Sequence, residues 1–404
     1  MKIVLISDLH LGKSISSSPA EPFSNSSVLW EMQKSILREL EEKISSLKPD
    51  VVAIAGDVFD KPKVSVEVMR EAIDFVTRLS EDSEIILISG NHDYTGISKD
   101  ASFEIFLSEP LKNIHVFTPR DIPKIAKGFS IEIGDKRFIP IPYPSGYRVD
   151  MLSVVKESIE NMLMSKEYDY VVGHFFVDEV AREIENYEDI IDYDVSEDLV
   201  ISKRAIKGFG LLGHYHVLTL GENYAYPSSI VPPIVKKAQF NVVYPSEQAF
   251  LLIEGSKIEK ISFNGIKLIS AYVGKNRYDS LEALGRKLMK IKHPYVRLYV
   301  ESEAMLDISK ELRKLSKAIG REFVCKIHEI PKKTVAVEEI LAIEEKPSID
   351  RAVEATLAEL LSSIDRDLAK MLWKRYREHE EENPKEIALA MLEAIKERLG
   401  GDVA

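Results

Sequence analysis

Five short runs carry the residues best suited to chemistry: Asp8-Leu9-His10, Gly56-Asp57-Val58-Phe59-Asp60, Gly90-Asn91-His92-Asp93, Gly173-His174 and Gly213-His214-Tyr215-His216. Their side chains offer carboxylate, amide and imidazole and no thiolate, a donor set that suits manganese, iron or zinc. Two four-coordinate ions sharing one carboxylate are satisfied by roughly seven ligands. The runs supply Asp8, His10, Asp57, Asn91, His174, His214 and His216. A pair of such ions can activate water and neutralise charge on a phosphoryl group during in-line displacement. Singly, each run has a plainer reading: Asp-x-His occurs by chance, Gly-Asn-His-Asp is a good turn, and Gly-His-Tyr-His could end a strand with core histidines. Together they hold five of the nine histidines in the chain.

Each run directly follows an apolar, strand-like stretch, at residues 2–7, 51–55, 84–89, 168–172 and 209–212. In an α/β sheet the carboxyl ends of strands carry the ligand-binding loops. The five runs are therefore expected to project from one sheet edge into a common crevice. The glycines before Asp57, Asn91, His174 and His214 would let the backbone turn sharply there. Between the strands, apolar residues at three- and four-residue steps predict helices over 28–47, 65–80 and 150–166. Strand–helix alternation predicts an α/β layered domain with helices covering the sheet. Residues 14–27 form a polar, Ser-rich loop, and 120–148 add further strands and loops.

Near residue 245 the texture changes. Residues 249–254 and 257–263 read as a hairpin, 279–291 and 304–319 as helices, and 294–301 and 321–329 as strands, a small α+β unit. A charged linker at 337–347 leads to two helical patterns over 348–399, broken at Asn383-Pro384. The expected organisation is 1–245, 246–336 and 337–404.

Among 404 residues, 45% hydrophobic and 30% charged exclude disorder as the main state. No stretch approaches the ~18 uncharged apolar residues of a membrane span, and the run at 3–6 is too short for a signal-peptide core. Cys325 is the single cysteine, so neither an intrachain disulfide nor a cysteine metal cage is expected. A cytoplasmic protein is expected. The net charge of -12 argues against a nucleic-acid binder relying on general positive charge. It leaves room for a local basic or metal site.

The order Asp-x-His, Gly-Asp, Gly-Asn-His-Asp, Gly-His, Gly-His-x-His resembles the calcineurin-like metallophosphoesterase signature. Asp8-Leu9-His10-Leu11-Gly12, Gly56-Asp57-Val58-Phe59-Asp60 and Tyr226-Pro227-Ser228-Ser229-Ile230 narrow the likeness to the SbcD, or meiotic recombination eleven, type of double-strand-break repair nuclease. The likeness is carried by motifs over 1–235 and by layout beyond. It implies a β-sandwich flanked by helices, a small α+β capping (DNA-binding) domain and C-terminal helices. It implies two divalent ions, expected to be manganese: one on Asp8, His10, Asp57 and His216, the other on Asp57, Asn91, His174 and His214, with Asp57 bridging. His92 would be the catalytic residue beside them, as phosphate stabiliser or proton donor, and Asp93 would orient it or a ligand histidine. The implied reaction is exo- or endonucleolytic phosphodiester hydrolysis in the nucleoid. The implied partners are DNA, an SMC-like coiled-coil ATPase of the SbcC type gripped by the C-terminal helices, and a second copy through helices at 65–80 and 102–109. Asp60 stands where many relatives carry His, Ser228 where the family turn has Gly, and the loop 14–27 lacks the usual Arg-containing pattern.

Two other functions fit the residues: hydrolysis of a small phosphodiester or phosphoprotein, and a DNA-end or ATPase scaffold with a vestigial metal site. Lys203-Arg204, Lys207 and Lys236-Lys237, and Arg148 near Tyr143 and Tyr147, could contact phosphates or simply be solvated. Tyr94 could line the site. Cys325 reads as a core thiol, and His115, His293, His328 and His379 as structural or surface residues.

Overall fold

Alternating side chains decide how the first strand is covered. In β1 (Lys2–Ile6), Ile3 and Leu5 face one way, Val4 and Ile6 the other, and all four are buried. A strand buried on both faces needs a layer on each side. The same holds for β2 (Val51–Ala55) and β3 (Glu84–Ile88), which with β4 (Ile114–Phe117) continue a parallel array. The chain is described here by a computed structural model covering residues 1–330, except 16–21, 95, 97–100, 109–111, 187–194, 196–197, 233–242, 275–276 and 306. It divides into two units, Met1–Thr334 and Val335–Ala404. The expected linker and docking helices of 337–404 therefore lie outside the described residues, as do Lys236, Lys237 and His379.

A second sheet uses β5 (Ile131–Ile133), β6 (Lys136–Ile141), β7 (Tyr170–His174), β10 (Phe209–Gly213), β11 (Thr219–Leu220) and β12 (Tyr224–Tyr226), in the order β11-β12-β10-β7-β6-β5. The short strands β8 (Phe176–Val177) and β9 (Val200–Ile201) pair beside it. Ile3, Leu5, Ala53, Ile86 and Ile88 of the first sheet interleave with Phe138, Tyr170, Val172 and Leu211 of the second. On the outside, α1 (Asn25–Leu47) and α2 (Val66–Ser80) cover Val4, Ile6, Val52 and Ile54. Beyond the short helices α3 (Ile105–Ser108) and α4 (Ile122–Ile125), α5 (Val149–Ser165) and α6 (Asp178–Asn186) cover the second sheet. The result is the helix–sheet–sheet–helix sandwich expected from the sequence. The three expected helices form within three residues of their predicted limits.

The second half departs from expectation in two places: a strand at Ile266–Val273 was not expected, and one hairpin lies elsewhere. After β13 (Val243–Tyr244), the hairpin β14 (Ala249–Glu254) and β15 (Lys257–Ser262) does not join the smaller unit. It extends the first sheet, with β14 antiparallel to β1 and Leu251 opposite Leu5. Composition explains the placement. Ala249 to Ile253 are all buried, as an interior strand requires, whereas β15 carries Lys257, Glu259 and Lys260 on an exposed edge that discourages further pairing.

The smaller sheet runs β13-β16-β17-β18, with β16 (Ile266–Val273), β17 (His293–Glu301) and β18 (Val324–Ile330) parallel. With α7 (Arg277–Leu288) and α8 (Ile308–Ile319) it encloses its own core, including Ile269, Leu298, Leu312, Phe323 and Cys325. Asn25, at the start of α1, laces it to the sandwich: its side-chain amide donates to the Cys325 carbonyl (3.0 Å) and accepts from the Cys325 N–H (2.9 Å). Among the described residues no helix is long and apolar enough to cross a membrane.

Candidate metal centre

The five runs sit at strand carboxyl ends, but they divide between two sheets. Asp8 and His10 follow β1, Asp57 follows β2, and Asn91 and His92 follow β3, all in the first sheet; His174 ends β7, and His214 and His216 follow β10, in the second. The site therefore forms where the two sheets meet at one end of the sandwich. The sharp turns are made chiefly by the functional residues. Asp8, His10, Asp57, His214 and His216 take φ of 54°, 45°, 51°, 93° and 61°, a region that L-residues rarely adopt. Of the four preceding glycines only Gly56 (φ 89°) shares it. The others are needed for close approach. A Cβ on Gly90 would lie 2.1 Å from Asp57 Oδ1, one on Gly173 2.2 Å from the Phe175 ring, and one on Gly213 1.9 Å from the Ala55 carbonyl oxygen.

Asp8, His10, Asp57 and His216 bring one ligand atom each to within 4.8 Å of one another. His10 Nε2 is 3.0 Å from His216 Nε2 and 3.5 Å from Asp57 Oδ2, and His216 Nε2 is 3.3 Å from Asp8 Oδ1. On the other side of Asp57, His174 Nε2 lies 3.5 Å from the same Oδ2 and 3.0 Å from Asn91 Oδ1, and the His214 ring stands 4.8 Å from that of His174. Asp57 Oδ2 is buried and, among the described residues, makes no hydrogen bond, lying between imidazole nitrogens of two groups. A carboxylate oxygen so placed is the natural bridge between two cations, and the oxygen and imidazole donors around it fit manganese, iron or zinc. His174 Nδ1 donates to the Ala55 carbonyl (2.8 Å), which leaves Nε2 facing two oxygen acceptors. That face asks for positive charge. Burial opposes a proton there, but Asp57 and Asp8 outweigh it and push His174 up to about 9. By contrast, burial drives His10 down to about 4.

Asp8 ties the sheets together. It accepts from Ser7 Oγ (2.5 Å) and, across the sandwich, from the His214 N–H (3.1 Å to each oxygen). Burial would raise Asp8, yet His216 and His174 hold it at about 2; Asp57 lies well below the usual range, His174 and His10 outweighing its burial. His92 stands at the rim, half-buried, its ring 4.7 Å from that of His10. Its backbone N–H donates to Asp57 Oδ1 and its Nδ1 to the Asp60 carbonyl, both at 2.8 Å, so Nε2 is the nitrogen left for a substrate. Asp60 also faces His10 Nδ1 (3.4 Å) and pairs with Lys13 (2.9 Å).

Asp93 has a different role from the one expected. It contacts neither His92 nor a ligand imidazole through its carboxylate. Fully buried, it accepts from the backbone N–H groups of Gly90 (2.8 Å), Phe59 (2.9 Å) and Val58 (3.4 Å), clasping the loops after β2 and β3. Burial and the Asp57 charge push it up to about 8. Tyr94 does not line the site: it is a core residue bonded to Glu104 (2.6 Å). Lys203 pairs with Glu179 and Arg148 with Asp150 at the surface, and Cys325 is a buried thiol as expected.

Several supporting residues could not be singled out from the sequence. Gln33 of α1 donates to the His10 carbonyl (2.7 Å), Ser229 Oγ to the Asp8 carbonyl (2.8 Å), and Asp198 accepts from His214 Nε2 (2.8 Å). Ser229 was visible within the Tyr-Pro-Ser-Ser run; Gln33 and Asp198 carry no local motif.

A model of the calcineurin-like phosphoesterase family matches residues 1–218. The DNA double-strand break repair protein Mre11 of Nanoarchaeum equitans is 37% identical over 92 residues, 22% of this chain and 23% of that protein. The SbcD component of the SbcCD nuclease of Staphylococcus epidermidis is 23% identical over 237 residues, 54% of this chain and 57% of that protein. The Mre11 protein of Archaeoglobus fulgidus is 23% identical over 320 residues, 72% of this chain and 65% of that protein. The chain thus spans less than two thirds of the length of each of these relatives. A dimetal phosphatase from Danio rerio superposes with a TM-score of 0.35 and 10% identity over 65% of this chain and 95% of that one, too slight a likeness to carry an argument.

Proposed function

Because the chain belongs to the calcineurin-like phosphoesterase family, we propose that it is a manganese-dependent DNA nuclease that hydrolyses phosphodiester bonds in double-strand-break repair. The observation that carries this reading is the gathering of Asp8, His10 and His216 with the buried Asp57, whose Oδ2 also faces His174, with Asn91 3.0 Å from His174. The relatives named as double-strand-break repair and SbcCD nuclease proteins support DNA as the substrate.

Asp8, His10, Asp57 and His216 would hold one ion and Asp57, Asn91, His174 and His214 the other. When bound, two divalent ions supply positive charge for the phosphoryl oxygens and make water a better nucleophile. The chain's own contribution is positional and acid–base. The clasp of Asp93 on the backbone and the Ser7 and His214 contacts of Asp8 hold the carboxylates at the junction of the sheets. His92, with Nδ1–H given to the Asp60 carbonyl, carries a proton on Nε2 to the departing sugar oxygen.

DNA, an SbcC-type coiled-coil ATPase engaging the 337–404 helices, and a second copy meeting near 65–80 and 102–109 complete the proposal, in a cytoplasmic, nucleoid setting. An ATPase partner contributing DNA-binding surface would reconcile the reading with a net charge of -12.

The test is cleavage of linear duplex and single-stranded DNA by the purified protein with manganese, magnesium or chelator. Manganese-dependent cutting that His92→Ala and Asp57→Ala reduce at least ~100-fold is the expected result. Full-rate cutting by Asp57→Ala would overturn the reading. Hydrolysis of a generic phosphodiester ester without DNA cleavage, the ATPase partner included, would move the assignment to a small phosphodiester or phosphoprotein.

A further inference from the structure

Two of the candidate ligand histidines turn Nδ1 toward an acceptor and Nε2 toward the bridging carboxylate. His174 gives Nδ1 to the Ala55 carbonyl (2.8 Å), and His10 Nδ1 faces Asp60 (3.4 Å). In both rings Nε2 faces Asp57. His214 is reversed: its Nε2 meets Asp198 Oδ2 at 2.8 Å. Asp198 lies just before β9, far from every motif in sequence, and its side chain is 14% exposed. Tyr143 packs beside this pair, its ring centroid 5.6 Å from that of His214 and 6.2 Å from that of His174.

We propose that Asp198 is a positioning residue for His214, fixing the tautomer with the proton on Nε2 so that His214 ligates through Nδ1. The proposal rests on the dinuclear reading above. A carboxylate accepts only, so a neutral imidazole facing it at 2.8 Å carries its single N–H on that side and its lone pair on the other. The negative charge behind the ring also makes the lone pair a stronger donor. The Tyr143 ring packs on both histidines of the second group. Asp198 therefore serves the ion bound by Asp57, Asn91, His174 and His214. The ion on Asp8, His10, Asp57 and His216 should be indifferent to it, and this selectivity separates positioning from a general structural role.

The test is manganese titration of the full chain, with bound ions counted by the loss of the free-ion electron paramagnetic resonance signal. Wild type should bind two ions. Asp198→Asn, which keeps the shape and removes the charge, and Asp198→Ala should each weaken one ion ~10–100-fold and leave the other unchanged. Asp198→Glu, which keeps the charge but displaces the carboxylate, should weaken the same ion by a smaller factor. Unfolding in chelator is the folding control. Should Asp198→Asn melt well below wild type, Asp198→Glu decides the matter by weakening one ion or none. Two ions bound with wild-type affinities in the variants would overturn the proposal, as would equal weakening of both ions. Fewer than two ions on wild type would instead remove the dinuclear reading, and the role of Asp198 with it.

Discussion

Asp8, His10, Asp57, His214 and His216 hold backbone angles that cost an L-residue roughly 1–2 kcal/mol each. The surrounding contacts must over-determine these conformations, and the glycines show how tightly. Gly213 passes so near the Ala55 carbonyl that a methyl group would overlap backbone, which cannot swing away as a side chain can. Gly213→Ala should therefore lose about 1–3 kcal/mol or more of stability, read as a lower urea midpoint, with weaker manganese binding. Gly255→Ala, in the open β14–β15 turn with φ 59° and nothing within 4 Å, should lose about 1 kcal/mol and leave metal binding alone. At this scale the ligand types were readable because each sits in a run with its own spacing. Asp198 was not, because its meaning lies in one contact with His214 sixteen residues away. Asp93 was misread because Gly-Asn-His-Asp suggests a partnership with the adjacent His92, whereas the carboxylate turns inward to three backbone amides.

Among the elements, α1 and β18 show how distant segments are stitched. The Asn25 side chain mimics a neighbouring strand, donating to and accepting from Cys325 in a buried setting. Asn25→Ala should cost about 1–3 kcal/mol, because it leaves a buried carbonyl and N–H of Cys325 short of these bonds; chemical denaturation measures it. His293, at the head of β17, makes a second, pH-dependent prediction. It is 6% exposed, its Nε2 has no hydrogen-bond partner among the described residues, and burial, helped by Lys292 and Arg321 against Glu39, lowers it to about 4. The unfolded chain takes up a proton near pH 6.5 that the folded chain refuses until about pH 4. The share of stability that His293 controls should therefore fall as pH drops through that window, by on the order of 2–3 kcal/mol, and change no further below it. His293→Leu should make the decline in unfolding curves between about pH 7 and pH 4 shallower by that share. The long helices and the interior strands of the sandwich were readable from hydrophobic period, whereas β16 was not. The β14–β15 hairpin was assigned to the wrong sheet because hydrophobic alternation reports that a strand is covered, not by which neighbours.

For the whole molecule, a ligand that binds only the folded state raises its stability, by about 2.7 kcal/mol at a hundred times its dissociation constant. Manganese should accordingly raise the melting temperature of the wild-type chain, chelator should reverse the rise, and Asp57→Ala should show little of it by differential scanning fluorimetry. The layered architecture was readable from strand–helix alternation. The meeting of two sheets at the site was not, since three runs on one sheet and two on another look the same in sequence as five on one. The return of β14 to the side of β1 also has a consequence for synthesis on the ribosome. About 240 residues separate the end of β1 from the start of β14. At ~5–20 residues per second, the hydrogen-bonding edge of β1 waits roughly 12–50 s for its partner. For that interval the nascent chain exposes an apolar strand edge, and a ribosome-associated chaperone has its clearest reason to bind there.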